Sequence, residues 1–395
     1  MTAITSVDSN KPARVLYLAL ELGWTKWNLA MTTGLGTAPR LRTIPARDVG
    51  ALANELVLAK RRFGLPPDAH VESCYEAGRD GFWLHRYLAS RGVANRVVDS
   101  ASIEVNRRAR RAKSDALDVG KLLSMLLREQ SGERNVWHVV RIPSVADEDA
   151  RQLHRELGAL QTESTRHVNR IKGLLASCGL AAEVDADLPQ TLSALRQWDG
   201  TPLPPDLQAR LLREHVRWTL VEQHVKDLYN LRIRLIRRDT TPQVDLVRRL
   251  LELRAIGLNS AWLFVREFFG WRVIDNRRQL AALAGLCPTP YHSGDGEREQ
   301  GISKAGNRRM RRMLVVIAWC WLRFQPASDL SRWYAARFAQ GNARARKIGI
   351  VALARKLLTA LWKYLKNGEL PGGALVTTWE PKVTRKPRAP TPTAV

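Results

Sequence analysis

Cysteine is scarce in this chain: four in 395 residues, Cys74, Cys178, Cys287 and Cys320, with no C-x-x-C pair among them. That scarcity argues against a disulfide framework and a cysteine-ligated zinc site, and it fits a reducing cytosol. Long apolar runs are missing too. No stretch reaches the ~18 residues of a membrane span, and the first apolar run, VLYLALEL, is interrupted by Glu21, so neither a signal peptide nor a membrane partner is expected. Acidic residues are in deficit, 38 Asp+Glu against 63 Lys+Arg, leaving a net charge of +25. Such an excess favours polyanionic partners, because contact with phosphates releases condensed counterions.

What is present describes a globular protein. Hydrophobic residues make up 45% and charged residues 26%, which excludes a disordered chain, and the length fits about two or three domains. The charge is unevenly placed. Residues 301–395 hold 19 Lys+Arg and 3 Asp+Glu. A second concentration, Asn106–Lys113 (NRRARRAK), sets Arg107, Arg108, Arg110, Arg111 and Lys113 immediately before two aspartates.

Periodicity divides the chain. After a flexible start at 1–13, residues 14–130 read as an α/β domain. Strands are expected at Val15–Leu22, Trp27–Thr33 and Arg40–Pro45, with links short enough for antiparallel hairpins. Helix, strand, helix, strand and helix then follow at Ala46–Phe63, His70–Tyr75, Phe82–Ser90, Asn95–Asp99 and Ser114–Glu129. Residues 144–240 read as a helical coiled-coil arm, with long polar amphipathic helices at Asp147–Ser177 and Leu207–Arg238. Residues 242–368 read as an all-α domain, and 371–395, rich in Pro, Thr and basic residues, as a flexible tail. Trp319 and Trp321 fall in an apolar helix and are expected in its core.

Four carboxylates stand out by position. Glu21 ends the first strand, Glu76 follows the fourth, and Asp115 and Asp118 sit three apart on one face of a helix start. Acids gathered at neighbouring strand ends repel one another unless a cation lies between them, and Mg²⁺ prefers such oxygen ligands. A pair of Mg²⁺ ions would stabilise both the attacking and the leaving oxygen of a phosphoryl transfer, with the upstream arginines holding the phosphodiester. Taken singly, each acid reads first as a solvated residue at a loop or helix start, and it is their joint placement at the ends of successive elements that reverses this.

This order of elements, with acids after the first and fourth strands and in the last helix, resembles the RuvC-like branch of the RNase H-like fold. Glu21, Glu76, Asp115 and Asp118 resemble the acidic quartet of the DEDD insertion-sequence transposases, relatives of the Piv/MooV invertases and known as bridge-RNA-guided recombinases. Their first acid is usually Asp in a run like GIDVSK. Here the run is LALELGWTK, one methylene longer at Glu21.

Leu280–Arg312 (LAALAGLCPTPYHSGDGEREQGISKAGNRRMRR) resembles the C-terminal transposase domain of the same family, through AGLCP, the Ser293–Gly294 step and ISKAGN. The resemblance implies a serine nucleophile that joins covalently to DNA, assigned to Ser293 with Ser303 as the rival. It also makes Lys304, Asn307, Arg308, Arg309, Arg311 and Arg312 candidates for nucleic-acid contact, only some of them able to reach it from one helix. Upstream, LLELRAIGLNSAWLFVREFF resembles a helix–hairpin–helix, whose backbone N–H groups reach phosphate.

The resemblance spans about residues 14–368 and implies an Mg²⁺-dependent DNA recombinase acting on donor and target DNA. It further implies a structured bridge RNA, a homo-oligomer (a tetramer), and a bacterial, nucleoid-associated setting. Two other readings stay open: a RuvC-type nuclease or junction resolvase without a covalent serine step, and a catalytically degenerate nucleic-acid-binding transposase.

Overall fold

A computed structural model of the protein describes residues 15–104, 115–293 and 296–380; the side chains at 115–116, 290–293 and 296–300 lie outside that description. Arg107, Arg108, Arg110, Arg111 and Lys113, the flexible start expected at 1–13 and most of the expected tail therefore fall outside the described residues. The chain divides after Pro143 into two compact units.

In the first unit, β1 (Leu16–Leu22), β2 (Lys26–Thr32) and β3 (Arg40–Pro45) form an antiparallel meander. After α1 (Val49–Arg62) come β4 (Val71–Glu76), α2 (Trp83–Ser90), β5 (Ala94–Val98) and α3 (Asp115–Gln130). The sheet order is β3-β2-β1-β4-β5, with β1 parallel to β4 and β4 parallel to β5. A strand covered on both faces reads as a nearly continuous apolar run, which is why VLYLALEL lacks clean alternation. Leu16, Leu18 and Leu20 pack with Leu52 of α1 and with Leu84 and Leu88 of α2. On the opposite face, the smaller Ala19, Ala30 and Cys74 let α3 lie close, through Val119, Leu122 and Leu126. The Cys74 thiol is fully buried and donates to the Leu122 carbonyl at 3.7 Å. Burial pushes its pKa far up, so it is a packing group rather than a nucleophile.

The second unit begins with α4 (Val145–Asp149) and α5 (Gln152–Ala176), continues through α6 (Leu188–Ala194) and reaches α7 (Pro205–Arg238). Ser164 donates to Glu222 at 2.5 Å, while His167 and Arg170 reach Glu214 at 2.7 and 2.9 Å. Ascending positions on α5 thus meet descending positions on α7, so the two helices pair antiparallel. Then follow α8 (Pro242–Leu251), α9 (Leu258–Phe264), α10 (Arg277–Ala284), α11 (Arg308–Phe324), α12 (Asp329–Phe338) and α13 (Ala343–Asn367). Their buried faces build one core around Trp262, Phe268, Leu314, Trp321 and Leu357.

Two expectations need correction. The C-terminal domain is not all-α: β6 (Pro288–Ser293) and β7 (Gly296–Ile302) form an antiparallel hairpin between α10 and α11. The paired prolines Pro288 and Pro290 exclude a helix there and push the chain into extended structure. Trp321 is fully buried as expected, but Trp319, two positions round the helix, is 50% exposed. Among the described residues, no helix is long and apolar enough to cross a membrane.

Candidate functional site

Strand register places the first two carboxylates. Leu20 on β1 pairs with Tyr75 on β4, so the next positions outward, Glu21 and Glu76, stand side by side at the strand ends. Side chains alternate along a strand, and Ala19 and Cys74 lie on the α3 face. Two residues further on, Glu21 and Glu76 belong to that same face.

Two contacts set the direction of α3. Glu129, near its C-terminus, bonds Arg96 at 2.7 Å, and Arg96 also bonds Glu72 near the start of β4. Leu122 meets Cys74, further along the strand. Moving back along the helix therefore moves forward along β4, and the first turn of α3, with Asp115 and Asp118, lies toward Glu76. Glu76 is exposed and Asp118 half-buried. Among the described residues, no three His, Cys, Asp or Glu side chains converge at metal-binding distance. The side chain of Asp115 is outside that description.

Several carboxylates of this unit are held by arginine, Glu55 by Arg40, Asp80 by Arg47 and Arg79, and Glu72 and Glu129 by Arg96, while Asp48 and Asp99 accept from backbone N–H groups. Glu76 and Asp118 have no basic partner among the described residues, although the chain carries 63 Lys+Arg. At the same edge, in the turn after β1, Trp24 is 64% exposed with the Arg47 and Arg79 guanidinium groups each 4.6 Å from its ring centroid. Residue spacing gave no hint of this stack, because its members lie far apart in the chain.

The second group of candidates sits in the second unit. Ser293 is the last residue of β6, where the hairpin turns. Ser303 is exposed just after β7, at the opposite end of the hairpin, so the two candidate nucleophiles are not brought together. The AGLCP and ISKAGN segments are laced by backbone bonds: Ser303 N–H to Cys287 at 2.8 Å, Lys304 to Gly285 at 3.2 Å, and Asn307 to Leu283 at 2.8 Å. Their approach demands glycine. A Cβ on Gly285 would sit 1.9 Å from the Ala305 oxygen, and one on Gly306 2.3 Å from the Leu283 oxygen; both residues have positive φ.

Asn307 caps α11, its side-chain oxygen accepting from Met310 N–H at 3.0 Å, while its amide donates to Glu267 at 3.3 Å. Arg311 donates to the Ala284 carbonyl at 3.2 Å. Lys304, Arg308, Arg309 and Arg312 are exposed.

Glu267, 2% exposed, lies in the π-helical segment Val265–Phe269 and also takes bonds from His154 at 2.9 Å and Arg155 at 2.8 Å. Burial alone would raise its pKa, but the hydrogen bonds from His154 and Arg155 outweigh it and hold the carboxyl well below the usual range. Sequence reasoning passes over Glu267 because its partners on α5 lie over 100 residues away. In the expected helix–hairpin–helix, α8 and α9 flank a turn in which Ala255 has φ 90°, and Gly257 caps α9.

Comparison with known proteins fits this picture. The profile of the transposase IS116/IS110/IS902 family matches residues 247–332, the stretch that contains the hairpin and the glycine-laced loops. The Sinorhizobium fredii protein named "Putative transposase y4rJ" is 39% identical over 376 residues, covering 92% of this chain and 95% of its own. A second protein of that organism, "Putative transposase y4qE", is 27% identical over 74% of this chain and 75% of its own. The Yersinia enterocolitica transposase for insertion sequence element IS1328 is 25% identical over 57% of this chain and 66% of its own. With near full-length similarity to the first of these and the family profile over residues 247–332, the chain belongs to the IS116/IS110/IS902 family of insertion-sequence transposases.

Proposed function

We propose that this transposase cuts and exchanges DNA strands by transesterification, with the carboxylates of the first unit and a serine of the second contributing separate halves of the chemistry. The observation that carries the reading is the in-register pair Glu21–Glu76 with the first turn of α3 directed toward it. The strand order, antiparallel meander followed by two parallel strands, supports an RNase H-like, RuvC-like assignment. Glu21, Glu76, Asp115 and Asp118 fit a hard divalent cation in donor chemistry, and would hold Mg²⁺, two ions on the family pattern. Bound there, Mg²⁺ supplies charge neutralisation to the scissile phosphate and the departing oxygen.

Ser293 is the nucleophile. Its Oγ bonds to phosphorus as the P–O3′ bond of the DNA breaks; the serine proton goes to the departing 3′-hydroxyl, and the 5′-phosphate stays on the protein. A 3′-hydroxyl from the exchanged strand then attacks that phosphorus and returns the proton to Ser293. No outside oxidant or energy source is consumed. A bridge RNA that pairs with donor and target DNA, and a tetramer that supplies several copies of each half, complete the proposal and rest on the family resemblance.

Trapping the covalent product tests it: protein, co-purified RNA and DNA are incubated with Mg²⁺, and nucleotide-bearing peptides are mapped. Label on Ser293 is expected. Label on Ser303 moves the nucleophile, and full-rate cleavage by Ser293→Ala with no label establishes a metal-dependent nuclease instead.

A further inference from the structure

The second unit contains an open groove of about 1390 Å³ between the outer face of α13, the start of α12, the start of α10 and the base of the β6–β7 hairpin. One face of α13 buries Ile350, Leu353, Leu357 and Leu361 in the core. The other lines the groove with Arg344, Lys347, Arg355, Lys356 and Lys363, a stripe that spans ~29 Å at 1.5 Å per residue. Arg277 and Arg278 of α10 add to its wall. Its two acids are already engaged, Asp329 with Arg332 and Glu369 with Lys363. Arg277, Arg344, Lys347 and Arg355 have no carboxylate partner among the described residues.

Between these cations the lining is apolar: Leu286, Ile302, Leu330, Trp333, Ile348 and Val351. Ile348, on the groove side of α13, is 50% exposed. Basic walls beside an apolar floor match a single nucleic-acid strand, whose phosphates meet the cations while its bases lie on the floor. A duplex keeps its bases stacked inside and would leave that floor uncovered. The chain's own segment 381–395 is a poor occupant, because it carries four basic residues and no acid.

We propose that this groove seats a single DNA strand adjoining the phosphate attacked at the hairpin. The inference rests on the transesterification reading for its biological role, since the groove opens at the base of the hairpin whose tip carries Ser293. The binding itself requires no chemistry.

The test uses the full chain without Mg²⁺, and reads the anisotropy of a labelled 20-nucleotide single strand, the matching duplex and an RNA of the same sequence across a salt series. Lys347→Gln/Arg355→Gln should weaken single-strand DNA binding by tenfold or more and flatten its log–log salt slope by about 1.4, two contacts at ~0.7 each. Arg61→Gln/Arg62→Gln, exposed on α1, removes the same charge elsewhere and should leave the strand's affinity within threefold. An unmoved thermal transition shows that both variants are folded. Equal losses from the two double variants, an unchanged single-strand affinity, or a larger loss for duplex or RNA each overturn the proposal. Ser293→Ala must bind the strand as the parent does, so failure of the covalent mechanism and failure of the groove give different results.

Discussion

Asn307 joins two structural tasks through one side chain: its oxygen caps α11 at Met310, and its amide donates to the buried carboxylate of Glu267 at 3.3 Å. Both ends of the amide are thereby used within the protein, at the end of the ISKAGN segment. Asn307→Asp keeps the cap, since Asp caps about as well as Asn, but sets a second carboxylate against Glu267. Thermal unfolding should show a loss near neutral pH that lessens as the medium is acidified toward pH 4. Asn307→Ala should lose about 1 kcal/mol through the cap and a further part through the donor to Glu267, without the added carboxylate repulsion. Identical pH profiles for the two variants would remove Glu267 from the account.

Glu267 itself makes the second unit sensitive to acid. Its folded-state pKa lies below the ordinary value of 4.5, so it stabilises the fold fully above that value. The contribution is lost as pH falls below 4.5 toward the depressed folded value. Glu267→Gln should flatten the acid limb of the stability profile and lower stability at pH 7 by up to about 3 kcal/mol, the lower end for a broken buried pair because Arg155 is partly exposed. Chemical denaturation at pH 7 and pH 4 measures both; an unchanged acid limb would contradict the assignment.

Local pattern was sufficient for much of the fold and insufficient for the support of the site. β1 to β5 and the three helices of the first unit were legible because each is a short apolar run or an amphipathic stretch bounded by turn residues. Glu21, Glu76 and Asp118 were singled out by position, and sheet register brings the first two together. The hairpin was not legible because the segment lies between strongly helical stretches, although Pro288 and Pro290 oppose a helix there. The bonds from His154 and Arg155 to Glu267 span more than 100 residues, and no local periodicity encodes them. The cations of α13 at 344, 347, 355, 356 and 363 follow no simple three-or-four spacing, and only the helix packing shows that they share an outer face.

Gly306 tests whether the two loops must cross. Its φ is 93° and a Cβ would meet the Leu283 oxygen at 2.3 Å, with backbone on both sides unable to yield as a side chain would. Gly306→Ala combines a left-handed penalty of ~1–2 kcal/mol with that clash. Expected is a lowered thermal transition for the second unit and loss of covalent product. Gly301→Ala has a positive φ of 90° but no atom within 4 Å, and should show the smaller backbone effect alone. Equal effects at both positions would mean that the close crossing carries no separate cost.

The carboxylate edge makes the most discriminating prediction. Glu21 and Glu76 follow the paired Leu20 and Tyr75 on adjacent strands, and neither Glu76 nor Asp118 is held by a basic partner among the described residues. If these acids served stability, neutralising them would destabilise the unit. If they serve a cation, neutralisation relieves repulsion in the free protein. Glu76→Gln and Asp118→Asn should therefore leave the melting temperature unchanged or raise it. Both should lower Mg²⁺-dependent DNA cleavage by at least about a hundredfold, consistent with the several kcal/mol a metal site supplies. DNA affinity measured without Mg²⁺ should remain within a few-fold of the parent, and Asp115→Asn should behave likewise. Glu21→Asp shortens the side chain by one methylene to the residue usual in the family, and should retain or raise cleavage. A fall in melting temperature that parallels the loss of cleavage would assign these carboxylates to the fold, and undiminished cleavage would remove them from the chemistry.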